Sequence, residues 1–243
     1  MEFNIRKAYN SVNMSYSFQK TEGIILHQIP FQNYDNILTL FTQDAGIIKI
    51  LDKGGRSKRK GSLGISLPLT KVEVVYIEKK SEIFSCKEIY LLDSYHFLRN
   101  ELAHIAVGCD LLKTIQVSQF LNKPATSLYQ LLSTYINHIP TISNPWILSA
   151  SFKLKLLRHD GLSPFPLICS QCQSSIFDAA FNIDSNWICC LPLLLQGTTW
   201  SQEEIVLLYQ LALCQNFKEL SSYSITPEFQ QKVTIFFDNC LRS

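Results

Sequence analysis

A chain of 243 residues with 47% hydrophobic and 17% charged side chains has ample material for a core, and nine Gly and nine Pro exclude collagen-like or linker-like composition. Lys and Arg number 22 against 20 Asp and Glu, a net charge of +2 too mild to announce nucleic-acid binding by itself. No uncharged apolar stretch approaches the roughly 20 residues of a spanning helix, and polar residues follow Met1-Glu-Phe-Asn-Ile-Arg-Lys where a secretory signal needs an apolar run. The expected location is therefore the cytoplasm, where the eight Cys stay reduced and close Cys pairs read as metal ligands before disulfides.

Residues 1–17 read as a polar extension without periodicity: either a disordered tail or sequence ahead of a start at Met14. From Thr21 to about Ser94 the pattern is β. Gly23–Ile29 is a short apolar run, and Asn36–Thr42 alternates before Asp44-Ala-Gly46 turns the chain into Gly46–Leu51, a hairpin. The glycine-flanked segment Lys53–Lys60 reads as a loop, and Leu69–Ile77 and Ile83–Leu92 are β-branched and aromatic enough for two more strands. Five short strands suit a closed barrel of the OB type over residues 18–95.

After Ser94 the period becomes helical. Leu98, Leu102, Ile105, Leu111, Leu112 and Ile115 predict one helix stopped by Pro124, Ala125–Ile139 a second, and Trp146–His159 a third. A Cys-bearing, Pro-rich insertion at about 164–192 follows. Ser201-Gln-Glu-Glu204 is a capping-box signal for another helix, and Pro227 opens the last. The fold class is α+β: a five-stranded barrel, then an α-helical domain over 96–243 with the Cys-bearing insertion.

Two constellations could carry function. Lys53, Arg56, Lys58, Arg59 and Lys60 fall within eight consecutive positions that contain no acid. Phosphate contacts need charge and reach more than fixed geometry, so a basic loop on a barrel suits nucleic acid; the bland alternative is a solvated charge run. Phe31, Tyr34, Phe41, Tyr76, Phe84 and Tyr90 are aromatics on which bases could stack, if they face outward. The second constellation is Cys169-Ser-Gln-Cys172, whose spacing lets two thiolates reach one Zn2+ ion. After sixteen intervening residues, Cys189-Cys190 is an adjacent pair that offers one ligand more readily than two, leaving His159 or Asp178 to complete a structural site. Alternatively, apolar residues alone hold the insertion together. Cys86, Cys109, Cys214 and Cys240 read as small core residues. No Gly-x-Ser-x-Gly, His-Glu-x-x-His or P-loop pattern is present, which lowers the expectation of catalysis.

The order of the pieces carries a resemblance. Thr21-Glu-Gly-Ile-Ile-Leu, then Asn33-Tyr-Asp-Asn-Ile-Leu-Thr-Leu-Phe-Thr42, then Gly46-Ile-Ile-Lys-Ile-Leu-Asp-Lys-Gly-Gly-Arg-Ser57 resembles the start of the bacterial RecO family. Phe152-Lys-Leu-Lys-Leu-Leu-Arg-His-Asp-Gly-Leu-Ser-Pro164 followed by Cys169-Ser-Gln-Cys172 is similar to its later region. The resemblance implies a non-enzymatic mediator of recombination. Such a protein binds single- and double-stranded DNA, anneals complementary strands, and with RecR, sometimes with RecF, loads RecA onto strands coated by single-strand-binding protein (SSB). It implies work at the nucleoid and docking on the acidic C-terminal tail of SSB. By matching position, Lys53, Arg56 and Ser57, continued by Lys58, Arg59 and Lys60, form the DNA-binding segment, and Cys169 and Cys172 the first metal-ligand pair. Cys189-Cys190 departs from the family's second CxxC. Lys153, Lys155 and Arg158 are the cations available on the third helix for the SSB tail. The competing reading is a zinc-stabilised protein-interaction scaffold with incidental DNA affinity.

Overall fold

The computed structural model describes residues 17–56, 65–78, 80–162 and 198–242, with Gln173 and the backbones of 181–184 and 187–190. Nearly all of the N-terminal extension, Ser57, Lys58, Arg59 and Lys60 of the basic segment, and Cys169 and Cys172 lie outside these residues.

Strands β1 (Phe18–Phe31), β2 (Asp35–Thr42), β3 (Gly46–Asp52), β4 (Lys71–Ile77) and β5 (Ile83–Asp93) close into a barrel in the order β1-β2-β3-β5-β4. Every pairing is antiparallel except β3 with β5. Closure depends on β1 serving two partners: Phe18–Ile24 pairs with β4, and Gly23–Phe31 pairs with β2 through a register irregularity between Ile25 and His27. Such an irregularity bends a strand and lets it turn a barrel corner. Alternate residues point inward, so Ile25, Leu38, Leu40, Ile48, Ile50, Val72 and Val74 fill the interior with Tyr76 and Phe84, whose rings stack at 5.5 Å. On the outer face Glu22 lies directly opposite Glu73, a like-charge pair relieved on the diagonals by Lys71 to Glu22 (2.7 Å) and Lys20 to Glu73 (2.9 Å).

The helical part comprises α1 (Leu102–Ser118), α2 (Thr126–His138), α3 (Trp146–His159), α4 (Gln202–Leu213), α5 (Phe217–Leu220) and α6 (Pro227–Arg242). A ribbon of β6 (Phe181–Asp184), β7 (Trp187–Cys190) and β8 (Thr198–Trp200) precedes α4. The first helix starts later than the periodicity predicts. His96–Asn100 is a separate 3-10 turn between Tyr95 at φ 43° and extended Glu101, and Leu102 is 83% exposed. The capping box forms as expected: Glu204 N donates to Ser201 Oγ (3.2 Å) and Ser201 N to Glu204 Oε2 (2.9 Å). Helix α3 is central, buried at every position from Ile147 through Leu154. Its small residues admit close neighbours, and its hydroxyls need partners: Ser151 Oγ donates to the Leu211 carbonyl (2.7 Å) and lies 2.9 Å from the Tyr135 hydroxyl.

Barrel and helices share one apolar core. Ile24, Leu26, Phe41, Ile47 and Leu69 from the barrel wall pack with Val107, Leu111, Leu128 and Tyr129, and the rings of Phe41 and Tyr129 lie 5.9 Å apart. The chain between α1 and α2 is tied to the β2–β3 turn: Asn122 N donates to the Ile47 carbonyl (2.8 Å) and Thr126 Oγ1 to the Gln43 carbonyl (3.0 Å). Gly46 makes this approach possible. It sits at φ +70°, and a Cβ there would lie 1.9 Å from the Lys123 carbonyl oxygen. Gly46→Ala therefore combines left-handed strain with a backbone clash and is expected to cost about 2 kcal/mol or more. The denaturant midpoint measures it, and an unchanged midpoint would show that this junction yields freely.

Candidate nucleic-acid interface

The basic segment leaves β3 at the barrel end that also carries the β1–β2 turn, Gln32–Tyr34. Its first residues are built into that end. Gly54 N donates to Asp35 Oδ1 (2.8 Å) and Arg56 N to the Tyr34 carbonyl (3.0 Å). The Arg56 guanidinium donates to the carbonyls of Gln32 (2.6 Å) and Asn33 (3.0 Å). Gly55 permits the close packing beneath, since a Cβ would fall 2.0 Å from Asp52 Oδ2 and 3.2 Å from Asn36 Nδ2. Asp52 is buried and accepts a long hydrogen bond from Ser66 Oγ at 3.4 Å. Arg56 is thus a strut between turn and loop, a role its place in a charge run conceals. The available signal was the double glycine beside it, which marks a backbone that must approach another chain segment.

The aromatics divide by exposure. Phe41, Tyr76 and Phe84 are buried, whereas Phe31, Tyr34 and Tyr90 face outward. Phe31 and Tyr34 flank the turn that Arg56 holds; Tyr90 donates to Glu88 Oε2 (2.7 Å) on β5.

The opposite barrel end is acidic along one cleft. Asp44, Glu78 and Glu82, with Lys80, line a cleft of about 510 Å³ that Asn122 and Pro124 complete from the helical side. Burial first, then the Glu78 and Asp44 charges, hold the Tyr76 phenol above its ordinary pKa.

The three lysine and arginine residues expected to meet an acidic peptide are not equivalent. Lys153 is no surface cation: it is 4% exposed, and its ammonium donates to Asp110 Oδ2 and, at 2.9 Å, to Ser149 Oγ, which also donates to Asp110. Arg158 Nη1 donates to the Ala212 carbonyl (2.9 Å) near the end of α4. Lys155 lies 5.4 Å from the Tyr135 ring centroid, and Tyr135 in turn packs edge-on against Phe217 at 5.1 Å. Burial lowers the Lys155 pKa, with Arg158 adding to the effect and Cys214 opposing it. Phe217 stacks on His138 at 3.8 Å in the wall of a second cleft of about 510 Å³, lined also by Thr141, Ile142, Asn216 and Lys218.

Among the described residues no three His, Cys, Asp or Glu side chains converge as metal ligands. Cys189 and Cys190 are successive positions of β7, in register with Asn182 and Phe181, so an extended strand stands where a second knuckle turn would be. His159 has both ring nitrogens engaged, Nε2 3.0 Å from Ser127 Oγ and Nδ1 2.8 Å from Asp160 Oδ1. Cys214 and Cys240 are buried as expected, Cys86 is half-buried, and Cys109 is exposed, contrary to its reading as a core residue. No helix among the described residues is long and apolar enough to cross a membrane.

Comparison with known proteins matches this architecture along both parts. The family model described as "Recombination protein O N terminal" matches residues 14–95, and "Recombination protein O C terminal" matches residues 99–242. The chain is similar to "DNA repair protein RecO" of Chlamydia pneumoniae, 22% identical over 89% of this chain and 86% of the relative. The protein of the same name from Chlamydia muridarum is 24% identical over 90% and 94%, and that from Caldicellulosiruptor bescii 23% identical over 88% of each. With a barrel and a helical part each matched over nearly its full extent, the chain belongs to the recombination protein O family, a family of DNA repair proteins.

Proposed function

We propose that this protein acts without catalysis as a recombination mediator in the cytoplasm, at the nucleoid. In this reading it binds single- and double-stranded DNA at the basic end of the barrel. It anneals complementary strands and, with RecR and sometimes RecF, helps load RecA onto SSB-coated strands. The observation that carries the DNA part is the joint between Arg56 and the β1–β2 turn, which fixes the root of the Lys53–Lys60 segment at one barrel end beside outward-facing aromatics. Lys53, Lys58, Arg59 and Lys60 contact phosphates, with Ser57 beside them, while Arg56 holds their root. Annealing follows from neutralisation: two strands repel less when their phosphates are screened by the same cluster of cations.

Four phosphate contacts on a single strand give a log–log salt slope of about −3. Fluorescence anisotropy of a labelled single-stranded oligonucleotide across a salt series measures it. A slope near zero, or no binding at low salt, overturns the DNA reading.

The cleft beside Phe217 supports docking of the SSB tail. Phe217, stacked on His138, lines it with Lys218, and Lys155 lies over Tyr135, which packs on the same Phe217; an apolar ring among cations suits an acidic peptide with an apolar end. For Zn2+, the thiols with knuckle spacing are Cys169 and Cys172, and the strand position of Cys189 and Cys190 does not fit a second knuckle pair. Metal analysis of the purified chain decides the matter: stoichiometric zinc supports a structural site, and none assigns the insertion's cohesion to its apolar residues.

A further inference from the structure

The β1–β2 turn has a property that the phosphate reading leaves unused. Tyr34 is 64% exposed and Phe31 39% exposed, at the barrel end where the basic segment begins. Scattered exposed rings are ordinary, so what distinguishes these two is their place on one held turn at the root of a basic segment. Their setting differs from that of the other outward-facing aromatics of the barrel. Tyr90 is bonded to a carboxylate, and Phe18 lies opposite Ile77, next to Glu78 of the acidic end. Phe31 and Tyr34 instead flank carbonyls occupied by a guanidinium.

The turn is also held in place. Arg56 bonds the Gln32, Asn33 and Tyr34 carbonyls, and Gly54 bonds the side chain of Asp35, the residue paired with Phe31. Gln32 is kept at φ 49°, a left-handed conformation that a free turn would relax. A ring carried on a backbone fixed beforehand loses little freedom on binding. Beside phosphate-binding cations, the ligand that fits such a ring is the face of an unpaired nucleobase.

We propose that Phe31 and Tyr34 form a stacking shelf for unpaired nucleobases, and that this shelf makes the basic end of the barrel prefer single-stranded to duplex DNA. The proposal rests on the DNA reading above. Bases within a duplex have both faces covered by their neighbours, so the shelf adds nothing there, while the phosphate contacts serve both forms alike.

The test uses the full chain and three labelled probes of equal length: oligothymidylate, an abasic phosphodiester strand, and a duplex. Tyr34→Ala and Tyr34→Leu are expected to weaken oligothymidylate binding about 5- to 150-fold, with the salt slope unchanged. Both variants leave the abasic strand and the duplex unaffected, and Tyr34→Trp retains binding. Phe31→Ala gives the same pattern. Equal losses on all three probes, or no loss on oligothymidylate, overturn the shelf while leaving the DNA reading standing. Failure of the unsubstituted protein to bind any probe in a salt-dependent way overturns both.

Discussion

Alanine at Lys53, Lys58, Arg59 and Lys60 together is expected to weaken single-stranded DNA binding between a hundredfold and a thousandfold near 0.1 M salt, and to flatten the log–log salt dependence by about 3. Both effects have one cause, since each phosphate contact releases condensed counterions and the gain shrinks as bulk salt rises. Arg56 is kept in this variant because its guanidinium spans two carbonyls of the β1–β2 turn, and its removal would displace the loop root as well as remove a charge. Anisotropy titrations at several salt concentrations separate slope from affinity. A variant with reduced affinity and the original slope would place the phosphate contacts elsewhere on the molecule.

Loss of the Asp110 carboxylate is the other large expected effect. Lys153 lies inside the helical core, and Asp110 and Ser149 are the partners its ammonium reaches. Asp110→Ala leaves that charge buried without a counter-charge, which costs about 3–5 kcal/mol. The cost arises from the stranded lysine more than from the lost contact, so adding Lys153→Met should restore most of the stability. Urea denaturation of the two single variants and the double variant measures the coupling. Equal stability of the Asp110→Ala and double variants would show that water reaches the lysine.

The barrel was legible in the sequence because its strands are rich in β-branched and aromatic residues and bounded by turns. Trp146–His159 and the Ser201–Glu204 box were legible for the corresponding local reasons. What escaped depends on contacts distant in sequence. The first strand was read as the apolar run from Gly23, yet it begins at Phe18 because β4, some fifty residues on, supplies a partner for Phe18–Glu22. Leu98 and Leu102 share a helical spacing but not a helix; the left-handed Tyr95 and extended Glu101 divide them, and only Leu98 is buried. Within the site, the run of charges was visible but the roles inside it were not. Lys153 stands between Phe152 and Leu154 on a helix with small residues at Ser149, Ala150 and Ser151. That sequence is apolar nearly all round, which was a signal of full burial and therefore of a paired lysine.

One end of the barrel carries a net negative charge along its cleft, Asp44, Glu78 and Glu82 against Lys80, and so repels a polyanion. That acidic end adjoins the α1–α2 connection through Asn122 and Pro124. At physiological salt such a field reaches about 8 Å, enough to turn a polyanion away from that junction but not to act across the molecule. A strand bound at the other end, as proposed above, is thereby kept clear of the junction between barrel and helices. Repulsion at one barrel end thus selects which face of the molecule a polyanion meets.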